Sequence, residues 1–217
     1  MKKLFLYPLF FWLIASSSLN AQLNIKIEIR PRTEFRAGYR IPMNLNVSPS
    51  LFVSQRSRLS FDYTHEKLTI KTSIQDVRVW GDEIQNIDNP SIGLHEAYAQ
   101  IQIGKNSFLI AGRQELVYDD HRLLGNSDWT QTARSHDALL YKFTNQKWKI
   151  DAIAAYNQLS ENNFATEYTT SNYQTLLIGR IEHDNNQIAL SFIDIADAYQ
   201  INDTSLNQIG EILPAHR

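Results

Sequence analysis

Between Leu23 and Tyr39 the chain reads LNIKIEIRPRTEFRAGY. Odd positions carry Leu23, Ile25, Ile27, Ile29, Phe35, Ala37 and Tyr39, and even positions carry Asn24, Lys26, Glu28, Arg30, Arg32, Glu34 and Arg36. A repeat of two belongs to a strand whose side chains alternate across a sheet, whereas an amphipathic helix repeats near 3.6. Soluble strands average about 5–6 residues, so an alternation this long suits a strand that crosses a membrane and rises above it.

Eight further stretches read as strands: about 50–64, 68–80, 94–103, 108–118, 137–144, 147–157, 173–183 and 187–199. Connections are long after the odd-numbered strands and short after the even-numbered ones. Outer-membrane barrels place short turns at the periplasmic end and long loops outside, while a sandwich has no reason to gather every long loop at one end. Aromatics near strand ends, Tyr39, Tyr63, Trp80, Tyr118, Trp148 and Tyr156, suit interfacial girdles but are common in any strand. Val77 and Val79 break the parity of Leu68, Ile70, Thr72 and Ile74, which predicts a bulge near Gln75 and Asp76.

The fold class expected is therefore all-β, an antiparallel transmembrane β-barrel. Nine strands is an odd count, and 200–217 reads as an irregular tail. Single-chain bacterial barrels close on even numbers, so the sequence is expected to be an incomplete, N-terminal part of a larger barrel.

A mean hydropathy of −0.35 does not argue against a barrel, whose strands average apolar with polar residues. The one continuous apolar run, Leu4 to Ala15, follows Lys2 and Lys3 and leads into Ser16, Ser17, Ser18, Leu19, Asn20 and Ala21. This is the pattern of an export signal, too short to span a bilayer. Cleavage is expected after Ala21, giving a leader over 1–21 and a barrel domain over 22–217. The formal net charge of −2 becomes more negative without Lys2 and Lys3, so nothing points to nucleic acid. With no cysteine there is neither a disulfide framework nor a thiolate metal site.

The segment GRQELVYDDHRLLGNSDWTQTARSHDALL (Gly112 to Leu140) resembles the alginate export family of outer-membrane porins, in its Bacteroidetes-type form. RPRTEFRAGY from Arg30, FVSQRSRLSFDY (Phe52 to Tyr63) and LHEAYAQI (Leu94 to Ile101) share in the resemblance. It implies a large monomeric barrel of about eighteen strands in the outer membrane, with a basic lumen that guides an anionic polysaccharide.

By parity, Arg30, Arg32, Arg36, Arg56, Arg58, Arg113 and Arg180 fall on the polar, lumen-facing side. Guanidinium groups bind carboxylates bidentately and never lose their charge, so such a ladder suits the passage of uronate groups. Glu34, Asp62, Glu96 and Glu115 share that face, with Glu28, Asp151 and Glu182, and cross-strand pairing within the lumen is the competing use of the same arginines.

Asp119, Asp120 and His121 offer ligands for a divalent ion but read as a solvated loop start, and no metal or other cofactor is expected. Ser135, His136 and Asp137 have triad residue types, yet neighbours in a strand point to opposite faces. The reading is a porin for passive passage of an anionic or polar saccharide, without catalysis, surrounded by outer-membrane lipid. A general small-solute porin, a barrel enzyme of lipase or protease type and a soluble polysaccharide-binding sandwich stand as alternatives.

Overall fold

A computed structural model describes residues 22–38, 46–83, 91–164, 166–168, 171–183, 188–200 and 212–216, the last eight of the numbered strand positions, 198–200 and 212–216, by backbone alone. The expected leader over 1–21, Tyr39 and the turn at 184–186 lie outside the described residues. The long strands are β1 (Gln22–Arg36), β2 (Ser50–His65), β3 (Leu68–Val79), β4 (Ile92–Gly104), β5 (Ser107–Gln114), β6 (His136–Thr144), β7 (Trp148–Tyr156), β8 (Tyr173–His183) and β9 (Ile188–Gln200). A short β10 (Ile212–His216) pairs with β9, in the tail that the sequence left irregular. All strands run antiparallel in one sheet in chain order. Among the described residues β1 pairs only with β2 and β10 only with β9, so the sheet is open.

The expected alternation of connections holds. Glu66–Lys67 joins β2 to β3 and Lys105–Asn106 joins β4 to β5, whereas 115–135 and 157–172 follow β5 and β7. The register fixes two faces. In β1, Ile27 and Ile29 stand opposite Leu59 and Ser57, while Glu28 and Arg30 stand opposite Arg58 and Arg56. Carried across the ladders, the face of Ile27 includes Ile70, Ala99, Leu139, Leu177 and Phe192. Its aliphatics are open, Ile27 at 75% and Ile29 at 68%. A continuous apolar surface on a sheet whose other face is charged is what a bilayer covers.

The charged face is the inner one, because the 115–135 loop lies on it. Nine positions apart, Asp119 and Asp128 of that loop meet Arg180 of β8 and Arg30 of β1. Seven strand spacings would part those strands by about 34 Å in a flat sheet. The loop is turned rather than extended, so the contact requires the sheet to curl around it.

Two expectations about β3 and β4 need correction. β3 pairs with β2 without a slip, leaving Val77 and Val79 on the inner face and Asp76 and Arg78 on the outer one. The parity change marks a charged outer rim. The bulge lies in β4, where Ser73 faces Glu96 but Ile74 faces Leu94, so His95 is the extra residue. Tyr118 is also no girdle residue: it packs against the inner apolar cluster and donates its hydroxyl to Asp151 at 2.7 Å.

Candidate functional site

The inner face has two parts. Over β1 to β4 it is charged, and over β5 to β9 it carries an apolar strip, with Ile110, Leu140, Ile153, Leu176 and Ile178 side by side in the register, followed along the strands by Lys142, Asp151, Arg180 and Glu182. An apolar strip in a wet lumen would be unfavourable. Leu116 and Leu124 of the loop cover it and are themselves buried, a gain of about 2 kcal/mol each. The loop is thus held by the same effect that holds a core.

At its first turn Asp119 accepts two hydrogen bonds from Arg180, 2.6 Å from Nη2 and 2.9 Å from Nη1. Arg180 is also held by Glu182 at 2.7 Å and Ser191 at 2.8 Å. At the far end the chain passes along β1 and β2. Arg30 donates to the carbonyls of Asp128 (2.9 Å) and Thr130 (2.5 Å), and Arg32 to that of Trp129 (2.6 Å). Gln131 is buried between the Arg30 guanidinium and Ser54 Oγ. Gln75 donates to the Thr132 carbonyl while accepting both bonds of the Arg58 fork. Glu115, at the start of the loop, accepts from His95 Nε2 at 2.8 Å and from Asn126 at 2.8 Å, with Arg58 4.0 Å away.

These contacts place the residues expected from sequence. Arg30, Arg32, Arg56, Arg58 and Arg180 are on the inner face, and Arg36 sits at the rim of β1, bound to Glu34 and over the Phe52 ring. Glu34 bridges Arg32 and Arg36, Asp62 stands opposite Lys71, and Glu96 pairs with Lys71 at 2.7 Å. Arg113 is a correction. It lies on the outer face, opposite Ala97 and Asp137, and forms its ion pair with Asp137 at 3.0 Å. Its parity matches Leu109 and Ala111, and it reaches above the apolar band to the rim. Asp119 and Asp120 are taken by Arg180 and Arg122. His136 and Asp137 point to opposite faces, as their adjacency requires.

Sequence reasoning missed Lys71, His95, Asn126, Asp128 and Gln131. The bulge turns His95 inward beside Glu96, and with Glu115 the three bring ligand atoms within 4.8 Å of one another. That set could hold a divalent cation, but Lys71 and Arg58 already supply positive charge there. Burial alone would raise the Glu115 carboxyl, yet hydrogen bonds from His95 and Asn126 and the Arg58 charge hold it below the ordinary carboxylate range. For Asp128 the desolvation is likewise outweighed by Arg56, then Arg30 and Arg58.

Between the loop and β1 to β4 lies a cavity of about 510 Å³, with Arg56, Arg58 and Lys71 facing Glu96, Glu115 and Asp128. A lipid-exposed outer face, a charged inner face and a loop folded against it are the parts of an outer-membrane porin wall. Comparison with protein families gives the same class in narrower form: the alginate export model matches residues 21–210, and the chain belongs to that family of outer-membrane porins. The family's role is transport. No match to a curated protein reaches significance.

Proposed function

We propose that the chain forms part of a channel wall through which an anionic or polar saccharide, such as a polyuronate, crosses the outer membrane passively. The observation that carries this is the row of Arg30, Arg32, Arg56, Arg58 and Arg180 on one face of the curled sheet. Forked donors at fixed charge suit carboxylates along a path. In this reading the working unit is a monomeric barrel with lipid outside, it needs no cofactor, and nothing in it is catalytic.

A second reading, a porin for small polar solutes, draws on the mixed charge of the cavity, where Lys26, Arg56, Arg58 and Lys71 meet Glu28, Asp62, Glu96, Glu115 and Asp128. Conductance of the purified full-length chain in planar bilayers separates the two. Block of the current by a uronate trimer and none by maltotriose supports the anionic path. Equal passage of both supports the small-solute reading, and recovery of folded protein from the periplasm instead of the outer membrane contradicts both.

A further inference from the structure

Arg30 and Arg56 stand directly opposite each other in the β1–β2 register. Like charges so placed repel, with Cβ atoms about 5 Å apart, and the sheet tolerates them only with an anion between. Two carboxylates supply it: Glu28 Oε1 lies 2.7 Å from Arg56 Nη2 and 3.7 Å from Arg30 Nε, and Asp128 has Oδ1 2.8 Å from Arg56 Nη1 and Oδ2 3.4 Å from Arg30 Nη1. Both carboxylates therefore span the two guanidinium groups, and with Glu28 offsetting one positive charge, Asp128 offsets the second. Arg56 is 1% exposed and keeps Glu28 on its other nitrogen at 2.7 Å, so its position does not depend on Asp128.

The second anion, unlike Glu28, comes from a loop, on a side chain that is half exposed. Its backbone is strained nearby, with positive φ at Ser127 (49°) and Ala133 (56°), as well as at Asp119 (52°) and His121 (64°). Such conformations are disfavoured for side chains with a Cβ and persist only where contacts hold them. Half of the negative charge at this arginine pair is thus supplied by a strained loop of the same chain and not by the strands.

We propose that the Arg30–Arg56 pair is a carboxylate-binding subsite which Asp128 occupies as a built-in competitor, and that a uronate group enters it by displacing the loop tip. The inference rests on the saccharide reading above and adds to it a residue that sets affinity. The docked loop keeps the wall neutral at this point, and a chain of linked carboxylates outcompetes one.

The test uses the full-length chain in detergent with Trp12, Trp80 and Trp148 replaced by Phe, so that Trp129, 70% exposed beside Asp128, reports binding. Asp128→Asn binds a uronate trimer about tenfold more tightly than the parent. Asp120→Asn, whose carboxylate meets only the exposed Arg122, binds as the parent does. Equal or weaker binding by Asp128→Asn overturns the inference, and if bilayer block by the trimer persists, the transport reading stands. Absence of binding by parent and variant alike overturns both. A second measurement needs no substitution: the trimer accelerates trypsin cleavage at Arg122 and Arg134, and maltotriose does not. Unchanged cleavage at saturating trimer contradicts displacement.

Discussion

Asp119 meets Arg180 across 61 positions of sequence, with two charge-assisted hydrogen bonds of 2.6 and 2.9 Å in parallel. This fork pins the first turn of the 115–135 loop to β8, as the Arg30 and Arg32 contacts pin its far end to β1. Arg180→Lys keeps the charge and loses the fork. Trypsin cleavage at Arg122, whose side chain is 84% exposed, should rise several-fold, while the strand signal in circular dichroism stays the same.

Gly112 answers a different requirement. It has φ of 124°, and a Cβ there would fall within contact of the Ala97 carbonyl oxygen and 2.9 Å from Tyr98 Cα on β4. Neither obstacle is a flexible side-chain tip. Gly112→Ala is expected to cost on the order of 2 kcal/mol or more, read as a lower urea midpoint for loss of the heat-modifiable folded band.

The apolar roof gives a third prediction. Leu116 is 2% exposed and Leu124 8%, and both are loop residues resting on β5 to β8. Leu116→Ala should weaken docking by about 2–3 kcal/mol. The outcome is faster hydrogen exchange confined to 115–135, with β1 to β9 protected as before; uniform loss of protection would mean that Leu116 supports the sheet itself.

Most of the fold was legible in the sequence because β1 and β2 alternate apolar with polar residues over most of their length and because long and short connections take turns. The site was legible only in part. Parity put Arg30, Arg56 and Arg180 on one face, but it cannot say where the hydrocarbon ends, and so it misplaced Arg113, which lies on the outer rim. It also equates polar with inner. On β5 to β8 that fails, because Leu116 and Leu124 turn the inner strip of Ile110, Leu140 and Ile153 into a small core. The partners of the arginines, Asp128 and Gln131, come from a loop about a hundred positions away, where no periodicity points to them.

The pH dependence of docking follows from the carboxyls of Asp128 and Glu115. Both titrate below their ordinary range because Arg56, Arg30 and Arg58, and for Glu115 His95 and Asn126, outweigh burial. A lowered folded pKa adds stability above the unfolded value near about 4, and that stability is lost as pH falls through the folded value. Trp129 emission in the single-tryptophan chain should stay constant from neutral pH down to about 5 and change below about 4. A transition between pH 6 and 8 would place the controlling group elsewhere.

Which face of β1 meets water decides whether the arginine face lines a lumen. The chain has no cysteine, so Lys26→Cys and Ile27→Cys each introduce a unique label site on adjacent residues of opposite faces. In outer membranes, a water-soluble maleimide should modify Lys26→Cys rapidly and leave Ile27→Cys unmodified, with a lipid-soluble maleimide reaching the second. Equal modification of both by the water-soluble reagent, or the reverse order, would contradict a lipid-facing Ile27 and a lumen-facing arginine wall.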